Sequence, residues 1–320
     1  MRAYIPDESL AEPGFADALK SVWPVSVVRL IESAQADVLI SGRPSEELLR
    51  RVRPSALVIP FAGLPDATRT LLLTRPDLRC YNLHHNAKAV AETAVGMLLA
   101  LSRQLAPHDI ALRAGDWRPR YAVDTSFTLA GRVAVLLGWG AISRRIAPVL
   151  QALGMEVRAV RRRCVEPVMD AGVRVYSAAD LAQALDGATA FIIAAPATPE
   201  TEGLVCDAML DRLGVDGIVI NVGRASIVDE AALFERLENG RLFGAGLDVW
   251  PNVVPSAKAD ALRRTPGNFP FHTLANVVLS PHRSGHARSI PMERARALAE
   301  LLSRLAAGEA VPAVDVVAGY

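Results

Sequence analysis

The middle of the chain alternates short, nearly continuous apolar runs with longer stretches in which apolar residues recur at helical spacing. Arg132-Val133-Ala134-Val135-Leu136-Leu137 has the character of a buried strand, 142–153 carries helical spacing, and 155–160 returns to strand. Further strands are expected at 188–194, 217–221, 244–249 and 276–280, with helices at 177–185 and 229–239 between several of them. Strands without polar alternation are buried on both faces, and intervening helices supply the cover. The pattern therefore predicts a doubly wound α/β domain around a parallel sheet. The first part of the chain predicts a smaller α/β unit, with strands at 38–40, 56–59 and 78–82. An Ala- and Leu-rich helix is expected at 89–104, then a polar irregular stretch, Gly115-Asp116-Trp117-Arg118-Pro119-Arg120-Tyr121, and a last helix at 288–307. No repeat or low-complexity tract interrupts this order. The large domain is predicted to be inserted between the first segment and the last helix.

Composition narrows the class. A length of 320 residues suggests about two domains, and a chain that is 51% hydrophobic and 22% charged can bury a sizeable core. Lys plus Arg is 35 against 34 for Asp plus Glu, a net charge of +1. There is no basic excess to attract nucleic acid or an anionic membrane. Cys80, Cys164 and Cys206 are too few and too scattered for a disulfide framework or a paired metal-ligand spacing, and read as ordinary thiols of a reducing cytosol. Met1-Arg2-Ala3-Tyr4-Ile5-Pro6-Asp7 lacks an apolar signal core. No uncharged apolar run reaches the roughly 18 residues of a membrane span. A cytoplasmic enzyme or binding protein is expected, without a metal.

The chemistry begins at Gly138-Trp139-Gly140-Ala141-Ile142-Ser143, which follows a strand and opens a helix. In a dinucleotide fingerprint the first Gly permits the tight turn, and the second lets the backbone approach a pyrophosphate resting on the helix N-terminus. The third position, usually Gly or Ala, is Ser143, small enough to loosen the packing without losing the site. About 20 residues on, an acidic residue would bind the ribose 2′-hydroxyl of NAD. Here Arg161, Arg162 and Arg163 follow Val160 and no carboxylate is at hand. A guanidinium cluster suits a 2′-phosphate, so NADP is favoured and NAD remains possible. A solvated basic loop is the bland alternative.

Several further stretches, in order, resemble the D-isomer-specific 2-hydroxyacid dehydrogenase family. They are Asn86-Ala87-Lys88-Ala89-Val90-Ala91-Glu92, Ala195-Pro196-Ala197-Thr198-Pro199-Glu200-Thr201-Glu202-Gly203-Leu204, Asn221-Val222-Gly223-Arg224-Ala225-Ser226-Ile227-Val228-Asp229, Gly244-Ala245-Gly246-Leu247-Asp248-Val249-Trp250 and Ser280-Pro281-His282. The resemblance implies a Rossmann domain over 104–285 inserted into a smaller, flavodoxin-like α/β substrate domain made of 1–103 and 286–320. It implies hydride transfer from a nicotinamide cofactor to a small 2-keto acid such as glyoxylate or hydroxypyruvate, giving the D-2-hydroxy acid. Arg224 would clamp the substrate carboxylate and polarise the keto group, a bidentate task for which Arg is suited and Lys is not. His282 would be the general acid, since an imidazolium donates near neutral pH. Phe61, Ala62, Gly63 and Leu64 would offer N–H groups to the carboxylate, and His84 or His85 would lie close to substrate. The cofactor would meet Gly138, Gly140, Ala141, Ile142, Arg161, Arg162, Ala195, Pro196, Thr201, Val222, Gly223 and Arg224, with Asp248 on the nicotinamide carboxamide. A homodimer joined mainly through the dinucleotide domain is implied, with the stretch around Trp117 as an arm.

One departure matters. The family places a Glu about five residues after the Asp of its Leu-Asp-Val segment, where it bonds the catalytic His and raises its pKa. Here that position is Val253, or Val254 with one insertion. The chain reads as an atypical member in which His282 should titrate lower unless another acid replaces the Glu. A hydride-only oxidation, or a dinucleotide-sensing protein without turnover, stays open beside the keto-acid reductase. His286 lies four residues after His282, but Pro281 and Gly285 disfavour the helix that a metal pair would need.

Overall fold

Short apolar runs of the first segment become the strands of a five-stranded sheet. In this computed structural model, which describes residues 1–10, 12–31, 35–123, 125–162, 164, 166–252 and 265–319, the chain opens with β1 (Arg2–Tyr4), α1 (Phe15–Val22), β2 (Arg29–Leu30), β3 (Val38–Ile40), α2 (Glu46–Val52), β4 (Ala56–Ile59), α3 (Asp66–Leu73) and β5 (Arg79–Asn82). The strand order is β2-β1-β3-β4-β5 with every pairing parallel, the flavodoxin-like arrangement. The expected strands β3, β4 and β5 are present. β1 and β2 escaped the sequence pattern because they are two or three residues long and largely polar. Ser45 starts α2 by accepting from Leu48 N–H at 3.1 Å, a side-chain N-cap.

The second unit contains α4 (Ala87–Ser102), α5 (Leu105–Arg113), β6 (Val133–Leu137), α6 (Ser143–Ala152), β7 (Glu156–Arg161), β8 (Val168–Asp170), β9 (Val173–Ser177), α7 (Leu181–Leu185), β10 (Ala188–Ile193), α8 (Asp207–Leu210), β11 (Ile218–Asn221), α9 (Glu230–Glu238), β12 (Gly244–Leu247) and β13 (Val277–Leu279). Its order is β13-β12-β11-β10-β6-β7-β9-β8, and only β8 runs antiparallel. Successive strands lie to one side of β6 through β7 and β9, and to the other from β10 onward. The order therefore reverses beside β6, and a crevice forms outside the carboxyl ends of the strands at such a switch point. α10 (Ile290–Ala306) returns the chain to the first unit, where Ala295, Leu298, Leu301 and Leu302 share a core with Ala3, Phe15, Val38 and Val58.

The two units comprise Met1–Ala87 with Gly285–Tyr320, and Lys88–Ser284. The break at Ala87 differs from the expected 103 because α4 packs with the second sheet. Val90, Ala94, Val95, Met97, Leu98 and Leu101 are buried with Ala134, Leu136, Ile192 and Ile220. The approach is close: a Cβ at Gly246 would come within 2.8 Å of the Met97 Cβ, and one at Gly244 within 2.9 Å of the Leu101 Cδ2. Small residues in β12 are what let α4 seat there. Among the described residues, no helix is long and apolar enough to cross a membrane.

Candidate active site and dinucleotide turn

The turn after β6 is shaped by its glycines. Gly138 has φ +95° and donates its N–H to Val160 O at 2.8 Å. A Cβ there would stand 3.0 Å from Ala194 O, so the backbone leaving β10 excludes any side chain. A Cβ on Gly140 would meet nothing within 4 Å, which leaves open room outside the turn. Arg144 N–H donates to Gly140 O at 3.0 Å, while among the described residues the N–H groups of Gly140, Ala141 and Ile142 have no acceptor. Unpaired donors at a helix start attract an anion by about 0.3–2 kcal/mol. The residues thus fit the pyrophosphate of a dinucleotide. Ser143 is buried and its hydroxyl has no partner among the described residues, so the third fingerprint position keeps its close packing and leaves a polar atom unsatisfied.

Trp139 turns inward from this turn. Its Nε1 donates to Asp170 Oδ2 at 2.9 Å, and the Arg144 guanidinium lies 4.8 Å from its ring. Hydrogen bonds from Arg144 and Trp139 hold the Asp170 carboxyl below its ordinary value. This triangle ties β8 to the start of α6. Arg161 ends β7 with its Nε buried and without a hydrogen-bond partner among the described residues. Arg162 Nη1 lies 4.0 Å from Glu200 Oε2, and Arg163 lies outside the described residues. The carboxylates absent after Val160 in the sequence are brought in from β8 and from the β10 loop. An unsatisfied buried guanidinium N–H still suits a phosphate acceptor.

The β10 and β11 exits interlock. Thr201 Oγ1 donates to Pro196 O at 2.9 Å and accepts from Thr198 N–H at 2.8 Å, which closes the 196–201 loop. Ala195 and Val222 are buried. A Cβ on Gly223 would approach Ala195 O to 2.7 Å, so this glycine lets the two exits touch. Asn221 was quoted in the sequence motif without a role. Its Oδ1 accepts from Gly223 N–H at 3.1 Å and its Nδ2 donates to Arg224 O at 3.0 Å, which turns the chain outward. Arg224 stands exposed at the tip, with Nη1 donating to Gly223 O at 2.7 Å.

At the β12 and β13 exits the carboxylate of Asp248 is buried and accepts from the Ser280 hydroxyl, from Arg283 N–H at 2.8 Å and from Ser284 N–H. Trp250 Nε1 donates to Ser280 O at 2.8 Å. His282 is exposed, and its φ of +57° is a left-handed backbone that costs a non-glycine residue about 1–2 kcal/mol. Arg224, Asp248 and His282 therefore stand after β11, β12 and β13, adjacent parallel strands whose carboxyl ends share one edge with the Gly138 turn. Ser280 and Trp250 carried no signal by which sequence reading could give them roles. Val253 and Val254 lie outside the described residues.

The first unit holds the remaining expected residues. Phe61, Ala62, Gly63 and Leu64 follow β4, and Gly63 has φ +88°. The Phe61 ring fills the space over Gly42, where a Cβ would come within 2.3 Å of it. Among the described residues the N–H groups of Ala62, Gly63 and Leu64 have no acceptor. His84 is exposed. His85 Nε2 accepts from Arg294 Nε at 3.3 Å, and burial, then the Arg294 charge, push its imidazole down to about 4. Among the described residues no group of three His, Cys, Asp or Glu could hold a metal ion.

Residues 95–284 match the family described as D-isomer specific 2-hydroxyacid dehydrogenase, NAD binding domain. A glycerate dehydrogenase of Methylorubrum extorquens is 26% identical over 270 residues, 82% of this chain and 80% of that protein. Glyoxylate/hydroxypyruvate reductase A HPR2 of Arabidopsis thaliana is 34% identical over 197 residues, 60% of this chain and 56% of its own length. A solved D-isomer specific 2-hydroxyacid dehydrogenase from Xanthobacter autotrophicus Py2, in complex with NADPH and MES, superposes with a TM-score of 0.77 at 25% identity, covering 100% of this chain and 99% of that one.

Proposed function

Because the chain belongs to the D-isomer specific 2-hydroxyacid dehydrogenase family and is a nicotinamide-dependent oxidoreductase, we propose that it reduces a small 2-keto acid, of the glyoxylate or hydroxypyruvate kind, to the D-2-hydroxy acid and uses NADPH in preference to NADH. The observation that carries this reading is the shared strand edge. Arg224 and His282 flank Asp248 on the same edge as the glycine turn. A bound reduced nicotinamide supplies the hydride. Gly138, Gly140, Ala141 and Ile142 receive the pyrophosphate; Ala195, Pro196, Thr201, Val222 and Gly223 form the adjoining walls. Arg161, whose Nε has no partner among the described residues, and Arg162 favour the 2′-phosphate. Arg224 pairs with the substrate carboxylate and draws electron density from the keto oxygen. His282 donates a proton to that oxygen as it becomes an alkoxide, and such donation contributes about 10²–10⁴-fold. The N–H groups of residues 62–64, without an acceptor among the described residues, suit a carboxylate, and His84 stands exposed near the end of the same unit's first segment.

The assembly is proposed to be a homodimer. No residue of α5 is buried, and it exposes Leu105, Ile110 and Leu112; Trp117, Tyr121 and Val123, soon after it in the chain, are exposed as well. Surfaces of this kind mark association sites, and sedimentation of a monomer at micromolar concentration would refute the dimer. Three free cysteines accord with a cytoplasmic setting.

Initial rates with glyoxylate, hydroxypyruvate and related 2-keto acids, with NADPH and with NADH, test the function. NADPH oxidation with at least one acid is expected, with kcat/KM about tenfold or more above that with NADH, the scale of one charge-assisted contact. Tight NADPH binding with no turnover on any acid would overturn the reductase in favour of a dinucleotide-sensing protein.

A further inference from the structure

The turn that follows β6 is held only sparsely by its own backbone. Gly138 N–H donates to Val160 O, and Gly140 O accepts from Arg144 N–H. Between those two atoms no backbone group has a hydrogen-bond partner among the described residues. The middle residue, Trp139, supplies a side-chain tether instead. Its ring is buried in the cluster that holds Ile146, Leu150, Val157 and Val173, and its Nε1 donates to Asp170 Oδ2 at 2.9 Å. A buried indole N–H without an acceptor is costly, so this bond fixes where the ring sits. Asp170 also receives both terminal nitrogens of Arg144, with Nη1 3.3 Å from Oδ1. Arg144 stands in the first turn of α6, where its charge opposes the helix dipole, and the Asp170 carboxylate offsets it. Asp170 comes from β8, the edge strand of the sheet. The hairpin of β8 and β9 is tied to α6 a second time, by Gln151 Nε2 donating to Gly172 O at 3.3 Å. It is thereby joined to both ends of α6, and one carboxylate carries it to the turn.

We propose that Asp170 is a positioning residue for the dinucleotide turn: through the Trp139 indole it holds residues 138–142 in the shape that presents the N–H groups of Gly140, Ala141 and Ile142 to the pyrophosphate. The proposal rests on the reading of this turn as the cofactor site. Asp170 acts on the ligand only through Trp139, and two consequences set this role apart. The pyrophosphate is common to NADPH and NADH, so loss of the tether weakens both alike. The tether needs an acceptor rather than a charge, and Asp170→Asn still offers one oxygen to the indole.

The test uses Asp170→Ala, Asp170→Asn, Trp139→Phe and the Asp170→Ala/Trp139→Phe double variant in the full chain. The readouts are the Kd values of NADPH and NADH by calorimetry, steady-state kinetics and the melting temperature. Asp170→Ala is expected to weaken both dinucleotides about fivefold, the two factors agreeing within about twofold. KM for NADPH should rise by the same factor while kcat at saturation falls less than about threefold. Trp139→Phe keeps a buried ring but loses the donor, and should also weaken both about fivefold. Because both changes break one tether, the double variant should stay within about twofold of the weaker single variant; independent effects would multiply to about 25-fold. Asp170→Asn should hold both affinities within about twofold of wild type. A lowered melting temperature with both Kd values unchanged in Asp170→Ala would overturn the proposal and leave a bond that serves the fold alone. A loss confined to NADPH would overturn it too and assign Asp170 to Arg161, whose charge also bears on it, and to the 2′-phosphate. Losses as large in Asp170→Asn as in Asp170→Ala, or losses that multiply in the double variant, would rule out the route through the indole. If Asp170→Ala fails to fold, Trp139→Phe decides, and unchanged affinities there would overturn the proposal. A wild type that binds neither dinucleotide would sink the cofactor reading itself, whereas a binding wild type with unaltered variants would sink this proposal alone.

Discussion

The turn after β6 and the loop after β13 stand on the same edge of one sheet, and both hold a residue with positive φ, but in opposite surroundings. Gly138 is left-handed because a neighbouring backbone leaves no room for a side chain; Ala194 O lies 3.0 Å from where its Cβ would be. His282 is left-handed although it carries a full side chain, and the donors on either side of it, the Ser280 hydroxyl, Arg283 N–H and Ser284 N–H, converge on the buried carboxylate of Asp248. The first device leaves backbone N–H groups pointing outward, which is what an anion needs. The second leaves a side chain pointing outward, which is what proton transfer needs. In the proposed reading, cofactor binding at this edge uses missing side chains, and proton transfer uses an exposed one.

The largest break in this comparison is expected from Gly138→Val. A branched side chain at φ +95°, driven into the β10 exit, should abolish measurable NADPH binding by calorimetry and lower the melting temperature by several degrees, on the order of 2 kcal/mol or more. Gly140→Ala sharpens the contrast with a smaller effect. Its Cβ meets no protein atom within 4 Å, so the melting temperature should hold while NADPH affinity falls about tenfold, because the methyl stands where the pyrophosphate approaches. A Gly140→Ala protein that binds NADPH as the wild type does would remove this turn from the cofactor site.

These two regions also differ in how far the sequence revealed them. The Gly138 turn was legible because everything that defines it is local: a strand, two glycines and a helix start within a dozen residues. The Asp248 contacts on either side of His282 were not, because Asp248 lies 32 residues from Ser280 and 36 from Ser284, and nothing in the intervening sequence says which donors its carboxylate will meet. The basic cluster shows the same limit. Arg161 and Arg162 were visible, whereas Asp170 and Glu200, which share their electrostatic surroundings, come from β8 and the β10 loop. Most strands of the large sheet were legible from unbroken apolar runs such as Val133–Leu137. The Val168–Asp170 hairpin strand was not, with one exposed valine, one exposed methionine and a half-buried aspartate. α5 hid for a related reason: its large apolar residues, Leu105, Ile110 and Leu112, are not spaced three or four apart, so no one-sided apolar stripe announces it. Arg224 and His282 could be put forward as substrate clamp and general acid only through the ordered set of motifs, since each alone is an unremarkable polar residue.

The division of labour is tested most directly by one paired measurement on His282→Asn: NADPH affinity by calorimetry, and kcat with whichever 2-keto acid the wild type reduces fastest. The account predicts an NADPH Kd within about twofold of wild type and a kcat lower by about 10²–10⁴-fold, since the turn after β6 is untouched and only the proton donor is lost. A kcat within about threefold of wild type, or a loss of NADPH affinity that matches the loss of rate, would contradict it.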